Sequence, residues 1–594
     1  MVQLAFLDWV VIAGYCALSM WIGIYFSKKA GQSVDEFFLS GRSLSWWLAG
    51  TSMVATSFAT DAPLAATRLV REQGLAGLWF PLSWIFADLL TLYFFARLWR
   101  RATVTTDAEI SEIRYSGKSA ALLRLFNGLY SSIPLNCIIM GWVTLAMVKI
   151  LQVSLDWPKE YVVPLLVGFT AIYTIASGLW GVIYTDLIQF IIATAGAILL
   201  AIYSVIHIGG VSAMKEKVIA LPGFSPEVFN FWPSFGAGGS LLTFFIVVMA
   251  VQWWAQKNVA GGGQLTQRMF ACKNEKHSML SVLWFSFAHY VLRPWPWMIV
   301  ALASLVLWPQ MADNEAAYPR MIMQIMPVGL RGVLIASLMA AFMSTLSTHL
   351  DWGASYLIVD VYKRFIKKNG SERHYVFMSR MAMALLTIVA GITAFYMDSI
   401  VSAWKFLATL TAGVGPVFIL RWYWWRINAW SEIAALAASG VFSTLFMFIP
   451  ALSADADYPT RLLLVLSLTT ASWLIATFLT QPEDEKTLVN FYRLVRPAQT
   501  GWKHIALRSG VRASDDNLFQ DISAYLMAAI FMLSSLFAIG KWLLGFYLEG
   551  LILSALTLVS GAYVWLDMKK RNIVWSQNEA SYSKEAKKIP SLQS

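Results

Sequence analysis

Apolar runs long enough to cross a bilayer recur along the whole chain, and they constrain its fold more than any other feature. They lie at about 7–27, 44–70, 75–99, 120–153, 160–178, 182–207, 240–260, 279–308 and 329–362. Six more follow at about 375–397, 400–425, 429–450, 460–480, 519–541 and 543–567. A spanning helix takes about 20 apolar residues. The pattern therefore predicts an all-α polytopic membrane protein with about 15 transmembrane helices. Composition agrees: 58% of the 594 residues are hydrophobic and only 13% are charged, against about 25% charged in soluble domains. A soluble globular enzyme, a disordered chain and a nucleic-acid binder are excluded, although the net charge is +11.

That positive charge is explained by where it sits. With the N-terminus outside, the exits of the odd-numbered helices carry Lys28, Lys29 and Arg42, then Arg97, Arg100, Arg101 and Arg114, then Arg268, Lys273 and Lys276. Lys363, Arg364, Lys367 and Lys368 follow, then Arg421 and Arg426. The loop 482–518 and the tail from Lys569 are also basic, whereas 451–458 is purely acidic. The positive-inside rule then places the N-terminus outside and the C-terminus in the cytoplasm, in a plasma or bacterial inner membrane. Contact of the basic loops with anionic lipid is compatible with this. No Lys or Arg precedes the first apolar run, which carries Asp8, so it reads as a retained helix rather than a cleaved signal. Cys16, Cys137 and Cys272 lie in or beside separate apolar segments with no CxxC or metal-type spacing. The Gly-rich stretch 260–277 lacks the order of a phosphate loop and reads as a flexible exit into the cytoplasm. Residues 482–502 fit either an amphipathic helix on the membrane surface or a solvated connector, and 576–594 has the composition of a disordered tail.

Interruptions are informative, because a membrane helix must satisfy its backbone internally. The second segment crowds small and hydroxyl residues from Ala49 to Thr60, with Asp61 two residues before Pro63. Pro63 frees a carbonyl near Ala59. Such a segment can break and turn carbonyls toward an ion; the alternative is a kinked helix with a close-packed small-residue face. In the ninth segment, Ser344, Ser347 and Thr348 share one helical face, with Thr345 at its border. Converging hydroxyls suit a small hard cation; back-bonding within their own helix is the alternative. Asp186, one turn into the sixth helix, reads as a functional carboxylate or one favoured by a helix N-terminus. Asp88 is expected to pair with a nearby Arg or to be structural. His289, Arg293 and His349 are expected in polar networks. No nucleophile–base constellation stands out, so an enzyme is not indicated.

Several ordered pieces resemble the sodium:solute symporter family, which includes sodium/glucose, sodium/proline and sialic acid symporters. They are FFLSGRSLSWWLAGTSMVATSFA (37–59), TDAEISEIRY (106–115), GLWGVIYTDLIQ (178–189), QRMFACKN (267–274), AAFMSTLSTHLDWGASYLIVDVYKRF (340–365) and GVGPVFILRWYWW (413–425). The resemblance implies a five-plus-five inverted-repeat (LeuT-like) core with extra flanking helices. It divides the chain into an N-terminal extra helix with its loop (1–43), a first repeat (44–207), an external loop (208–239) and a second repeat (240–425). Two additional helices (426–481), a cytoplasmic connector (482–518), two C-terminal helices (519–567) and a tail (568–594) follow. It also implies a first sodium site made by the carbonyls of Ala55, Phe58 and Ala341 and the hydroxyls of Ser344 and Thr345. A second sodium site would use Asp186 with Ser344, Ser347 and Thr348.

The activity implied is sodium-coupled import of a small polar organic solute by alternating access, with sugar or a sugar-like compound favoured. Sodium ions and membrane lipid are the other expected partners; no nucleic acid or obligate protein partner is indicated. Candidate solute-binding residues are Ser57, Asp61, Trp79, Asn136, Trp253 and Thr409, with Trp84, Trp142 and Trp254 in the same regions. The sodium/galactose type has Gln where this chain has Ala62 and Ala408, so galactose is not expected. A proton-coupled or uncoupled carrier of the same fold, or an amino-acid or organic-acid substrate, is the alternative.

Overall fold

The computed structural model describes residues 4–233, 239–454, 457–511 and 518–586, and nearly all of its elements are helical. Among the described residues, 12 helices are continuous, long and apolar enough to cross a membrane. The three other expected spans are present as interrupted pairs. In chain order, α1 (Phe6–Ala30) precedes the first pair, α2 (Trp46–Ser57) and α3 (Asp61–Gln73). Next come α4 (Leu75–Ala102), α5 (Gly117–Leu155), α6 (Lys159–Ala176) and α7 (Gly178–Ile208). The second pair is α8 (Leu241–Ala255) and α9 (Gly263–Ala271). Then follow α10 (Glu275–Leu307), α11 (Leu330–Ile366) and α12 (Glu372–Phe395). The third pair, α13 (Ile400–Leu410) and α14 (Gly415–Tyr423), is bent by 45°. The chain ends with α15 (Ala429–Met447), α16 (Tyr458–Leu479), α17 (Glu485–Val495), α18 (Leu518–Leu543) and α19 (Tyr547–Ala586).

The breaks follow from local chemistry. The last turn of the α2 helix closes when the Phe58 N–H meets the carbonyls of Val54 at 2.8 Å and Ala55 at 3.2 Å. The next helix starts at Asp61, with Pro63 in its first turn, where a missing N–H costs nothing. A broken helix, not a kinked one, is therefore the outcome for the second segment. Two breaks touch each other: the Gly413 N–H donates to the Ala255 carbonyl at 2.9 Å. There Gly415 passes so close to the Trp254 carbonyl that a Cβ would overlap it. Gly178 turns the chain between α6 and α7 at φ +52°, with the Phe37 carbonyl 2.7 Å from where its Cβ would be.

Three local expectations are corrected. The stretch 260–277 is not a flexible exit, because α9 lies inside it with Thr266, Gln267 and Arg268 buried. Arg268 is thus no loop cation; its side chain is inaccessible. The connector neither lies on lipid nor stands free. Leu488, Phe491, Tyr492 and Val495, the apolar face of α17, are buried against protein. Arg114 stacks 4.7 Å over Trp502 and 5.4 Å over Phe491, and the Trp502 indole donates to the Trp422 carbonyl at 2.8 Å. The last helix runs on to Ala586, through much of the stretch expected to be disordered. Residues 587–594 of that tail, 512–517 of the connector and 455–456 of the acidic loop lie outside the described residues.

The two ends of the molecule are tied differently. At the end rich in cations, Glu112 takes Arg364 in a bidentate pair (2.8–3.0 Å) and Arg124 at 2.7 Å. Burial pushes its carboxyl up, but these two guanidiniums hold it below the usual range. At the opposite end, the buried Glu315 accepts from Lys149 at 2.6 Å and Arg68 at 3.3 Å. The same carboxylate caps α13 through the N–H groups of Ile400 at 3.1 Å and Val401 at 3.2 Å.

Candidate functional site

The break of the first interrupted helix faces the middle of α11, and their hydroxyls divide the work. Thr345 donates to the Thr56 carbonyl at 2.6 Å and lies 3.1 Å from the Ala341 carbonyl in its own helix. Three oxygens of the kind a small hard cation prefers thus meet beside the break. Among the described residues, the Ala55 carbonyl is engaged only by the long Phe58 contact. Ser344 points elsewhere. Its hydroxyl donates to Asp186 Oδ1 at 2.5 Å, while Ser52 donates to Asp186 Oδ2 at 2.5 Å. Ser347 back-bonds to the Ser344 carbonyl at 3.0 Å. Thr348 accepts from Arg268 at 2.7 Å and lies 3.1 Å from the Thr56 hydroxyl.

Arg268 is the charge that answers Asp186. Its Nη2 stands 3.9 Å from Asp186 Oδ2, and both side chains are wholly buried. It also donates to Ser52 at 3.2 Å and to Gln267 Oε1 at 3.0 Å. A buried ion pair is tolerable only when its remaining hydrogen bonds are made, and here hydroxyls make most of them. Sequence reasoning missed Arg268, Ser52 and Thr56 as members of this cluster. The available signal was the i, i+4 spacing of Ser52 and Thr56 on α2, which repeats that of Ser344 and Thr348 on α11.

A cavity of about 290 Å³ opens beside Thr56 and Thr345. Its wall carries the rings of Trp84, Trp142, Trp253, Trp297 and Trp404 and the polar groups of Ser57, Asp61, Gln256, Gln264 and His349. Of the expected solute-binding residues, Ser57, Asp61 and Trp253 are on this wall. Trp79, Asn136 and Thr409 are not. The Trp79 indole is buried behind the wall and donates to the Phe231 carbonyl at 2.8 Å. Asn136 is used up by His349, through its carbonyl at 2.8 Å and its ring at 2.5 Å. Thr409 back-bonds to Lys405 at 2.8 Å. Ala62 lines the cavity with a methyl group and Ala408 is buried off it. Asp88 also reaches the wall, held by the Tyr290 hydroxyl at 2.5 Å rather than by an arginine. His289, also on the cavity wall, meets Arg293 at 2.7 Å, a polar contact of the kind expected. Among the described residues, no group of three or more His, Cys, Asp or Glu could hold a metal ion; the oxygens gathered here are hydroxyls, carbonyls and the single carboxylate of Asp186.

The comparisons with known proteins agree with this geometry. The sodium:solute symporter family model matches residues 37–440. The sodium/glucose cotransporter of Vibrio parahaemolyticus is 26% identical, over 75% of this chain and 86% of its own. A sodium/mannose cotransporter of Bos taurus is 25% identical, over 76% and 81%. A sodium/myo-inositol cotransporter of Canis lupus familiaris is 25% identical, over 71% and 64%. A solved structure, a sodium-coupled sialic acid symporter in its substrate-bound outward-open state, superposes with a TM-score of 0.67. It covers 81% of this chain and 99% of its own at 21% identity, which establishes the shared LeuT-like fold. The chain belongs to the sodium:solute symporter family and is an integral membrane, sodium-coupled secondary transporter.

Proposed function

We propose that this transporter imports a sugar or sugar-like polyhydroxylated solute, bound in the cavity next to its coupling ion. The observation that carries this reading is that Thr56 and Thr345 belong both to the cavity wall and to the helix break. Indole faces interleaved with a few hydroxyl, amide and carboxylate groups suit a solute with apolar ring faces and polar edges. The relatives named for glucose, mannose and myo-inositol support the same class. Ala62 leaves no amide at its place on the wall, which disfavours galactose.

The first sodium ion is assigned to the carbonyls of Ala55, Phe58 and Ala341 with the hydroxyls of Ser344 and Thr345; Ser344 would have to turn from Asp186 to reach it. A second ion is assigned to Asp186, Ser344, Ser347 and Thr348; it would have to draw Thr348 away from Arg268. The repeats are taken as 44–207 and 240–425, each opening on an interrupted helix. The cation-rich end is taken as cytoplasmic, in a plasma or bacterial inner membrane, with the N-terminus outside. Sodium bridging the break to α11 would favour one orientation of the cavity, and rocking of one bundle would open the other. Each charge moving inward down ~100 mV supplies about 2.3 kcal/mol. The work is movement, with no catalytic step.

Proteoliposomes with an imposed sodium gradient test the reading. Uptake of a labelled hexose or inositol that collapses when potassium replaces sodium is expected. Uptake indifferent to sodium, or none for any polyhydroxylated solute, would overturn it.

A further inference from the structure

Asp61 is a buried charge that the fold leaves half answered. It opens α3 at the helix break and is only 4% exposed. Its Oδ2 accepts from the Trp404 indole at 3.0 Å, while Oδ1 has no hydrogen-bond partner among the described residues. The carboxylate stands on the cavity wall together with Trp142, Trp297 and Trp404. Arg293, a cation of the same core whose charge is felt at Asp61, makes no hydrogen bond to it among the described residues, and its Nε and Nη2 have no hydrogen-bond partner there. It donates to the Val54 carbonyl at 3.1 Å, meets His289 at 2.7 Å and stacks on Phe58 at 4.1 Å.

The geometry points to a solute that carries a protonated amine besides its hydroxyls, an amino sugar or amino polyol whose ammonium group meets Asp61 Oδ1 between the indole faces. This rests on the sugar-like reading above and narrows it. An ionisable group held inside a membrane core without a full set of partners is costly, and such groups mark transport pathways. A solute hydroxyl would supply the missing hydrogen bond but leave the charge answered only by Arg293, which is not bonded to it. An ammonium group supplies both, with a shorter, charge-assisted bond. Its positive charge is also attracted by the faces of neighbouring indoles.

The test uses the full-length protein in detergent with saturating NaCl, at slightly acidic pH. Thermal shift is titrated with glucosamine, glucose and N-acetylglucosamine, the last two lacking the charge. The expected result is half-saturation by glucosamine at a concentration about tenfold or more below either neutral sugar. In Asp61→Asn, which keeps the shape and removes the charge, glucosamine should fall to the level of glucose; Asp61→Glu should keep the preference. Glucose equal to or better than glucosamine in the unmodified protein overturns the amine assignment and leaves the sugar reading standing. No shift with any of the three sugars overturns both.

Discussion

The Thr345 hydroxyl reaches across the helix break to the Thr56 carbonyl, 2.6 Å away. This side chain joins α11 to the interrupted helix at the point assigned to the coupling ion. Thr345→Ala removes both the bridge and the ligand proposed for the ion. The half-saturating sodium concentration for thermal stabilisation, read in NaCl against KCl at equal ionic strength, should rise about tenfold or more. That corresponds to about 1.4 kcal/mol of lost binding. An unchanged sodium response would remove Thr345 from the site. Thr345→Ser keeps the oxygen and should keep most of the response.

Asp186 and Arg268 are expected to behave as a unit. Removing one partner of a buried, hydrogen-bonded pair leaves the other charge uncompensated, at about 3–5 kcal/mol. Asp186→Ala should therefore lower thermal stability strongly. Asp186→Ala combined with Arg268→Ala should recover part of the loss, which a double-mutant cycle reads as a coupling energy. Additive losses would show that the two charges do not serve each other.

Glu315 holds together four groups from three separate stretches of chain at the end opposite the cation-rich one. Glu315→Ala leaves Lys149 with one partner fewer and takes the acceptor from the Ile400 and Val401 N–H groups, so that Ser399 alone caps α13. Loss of a charged cap and its ion pairs should cost about 2–4 kcal/mol. Transport in proteoliposomes should also change, because only the bond from Arg68 to Ser399, at 2.7 Å, would still join α3 to the start of α13. Wild-type melting in Glu315→Ala would contradict this account.

Glu112 gives the fold a pH dependence whose sign is fixed. Its carboxyl is held below the ordinary range in the folded protein by Arg364 and Arg124, against the upward push of burial. The unfolded chain, with a glutamate near about 4.3, binds the proton first as acid is added. The contribution is therefore complete above that value and is lost as the pH falls toward the lower, folded one. Thermal stability measured from neutral pH down to about 3 should show a shallower acid decline in Glu112→Gln than in the unmodified protein.

Much of this arrangement is legible in the chain because the bilayer imposes a length. Fifteen apolar runs were long enough to span, and the helices occupy those runs. The interruption before Asp61 is half visible, since Pro63 and the crowded small residues mark a disturbed helix but fit a kink as well as a break. Side-chain direction is less legible. Trp79, Asn136 and Thr409 lie in the right helices, yet their polar groups turn to Phe231, His349 and Lys405. Arg268 was hidden by its neighbours: a Gly-rich, cation-bearing stretch reads as a loop, and only tertiary packing carries it beside Asp186. The α17 helix shows the same limit, since its apolar face announces burial without saying whether lipid or protein covers it.

The contact between Gly413 and Ala255 has a consequence for how such a carrier can diversify. It is a seam of main chain against main chain, so no side chain specifies it and none can be traded to retune it. Selection acting on the solute can exchange tryptophans and carboxylates around the cavity while this seam stays as it is. At Gly415, by contrast, any added side chain would force the two interrupted helices apart. The protein thus combines a freely editable lining with a hinge point closed to mutation, which lets one mechanical frame carry many cargoes.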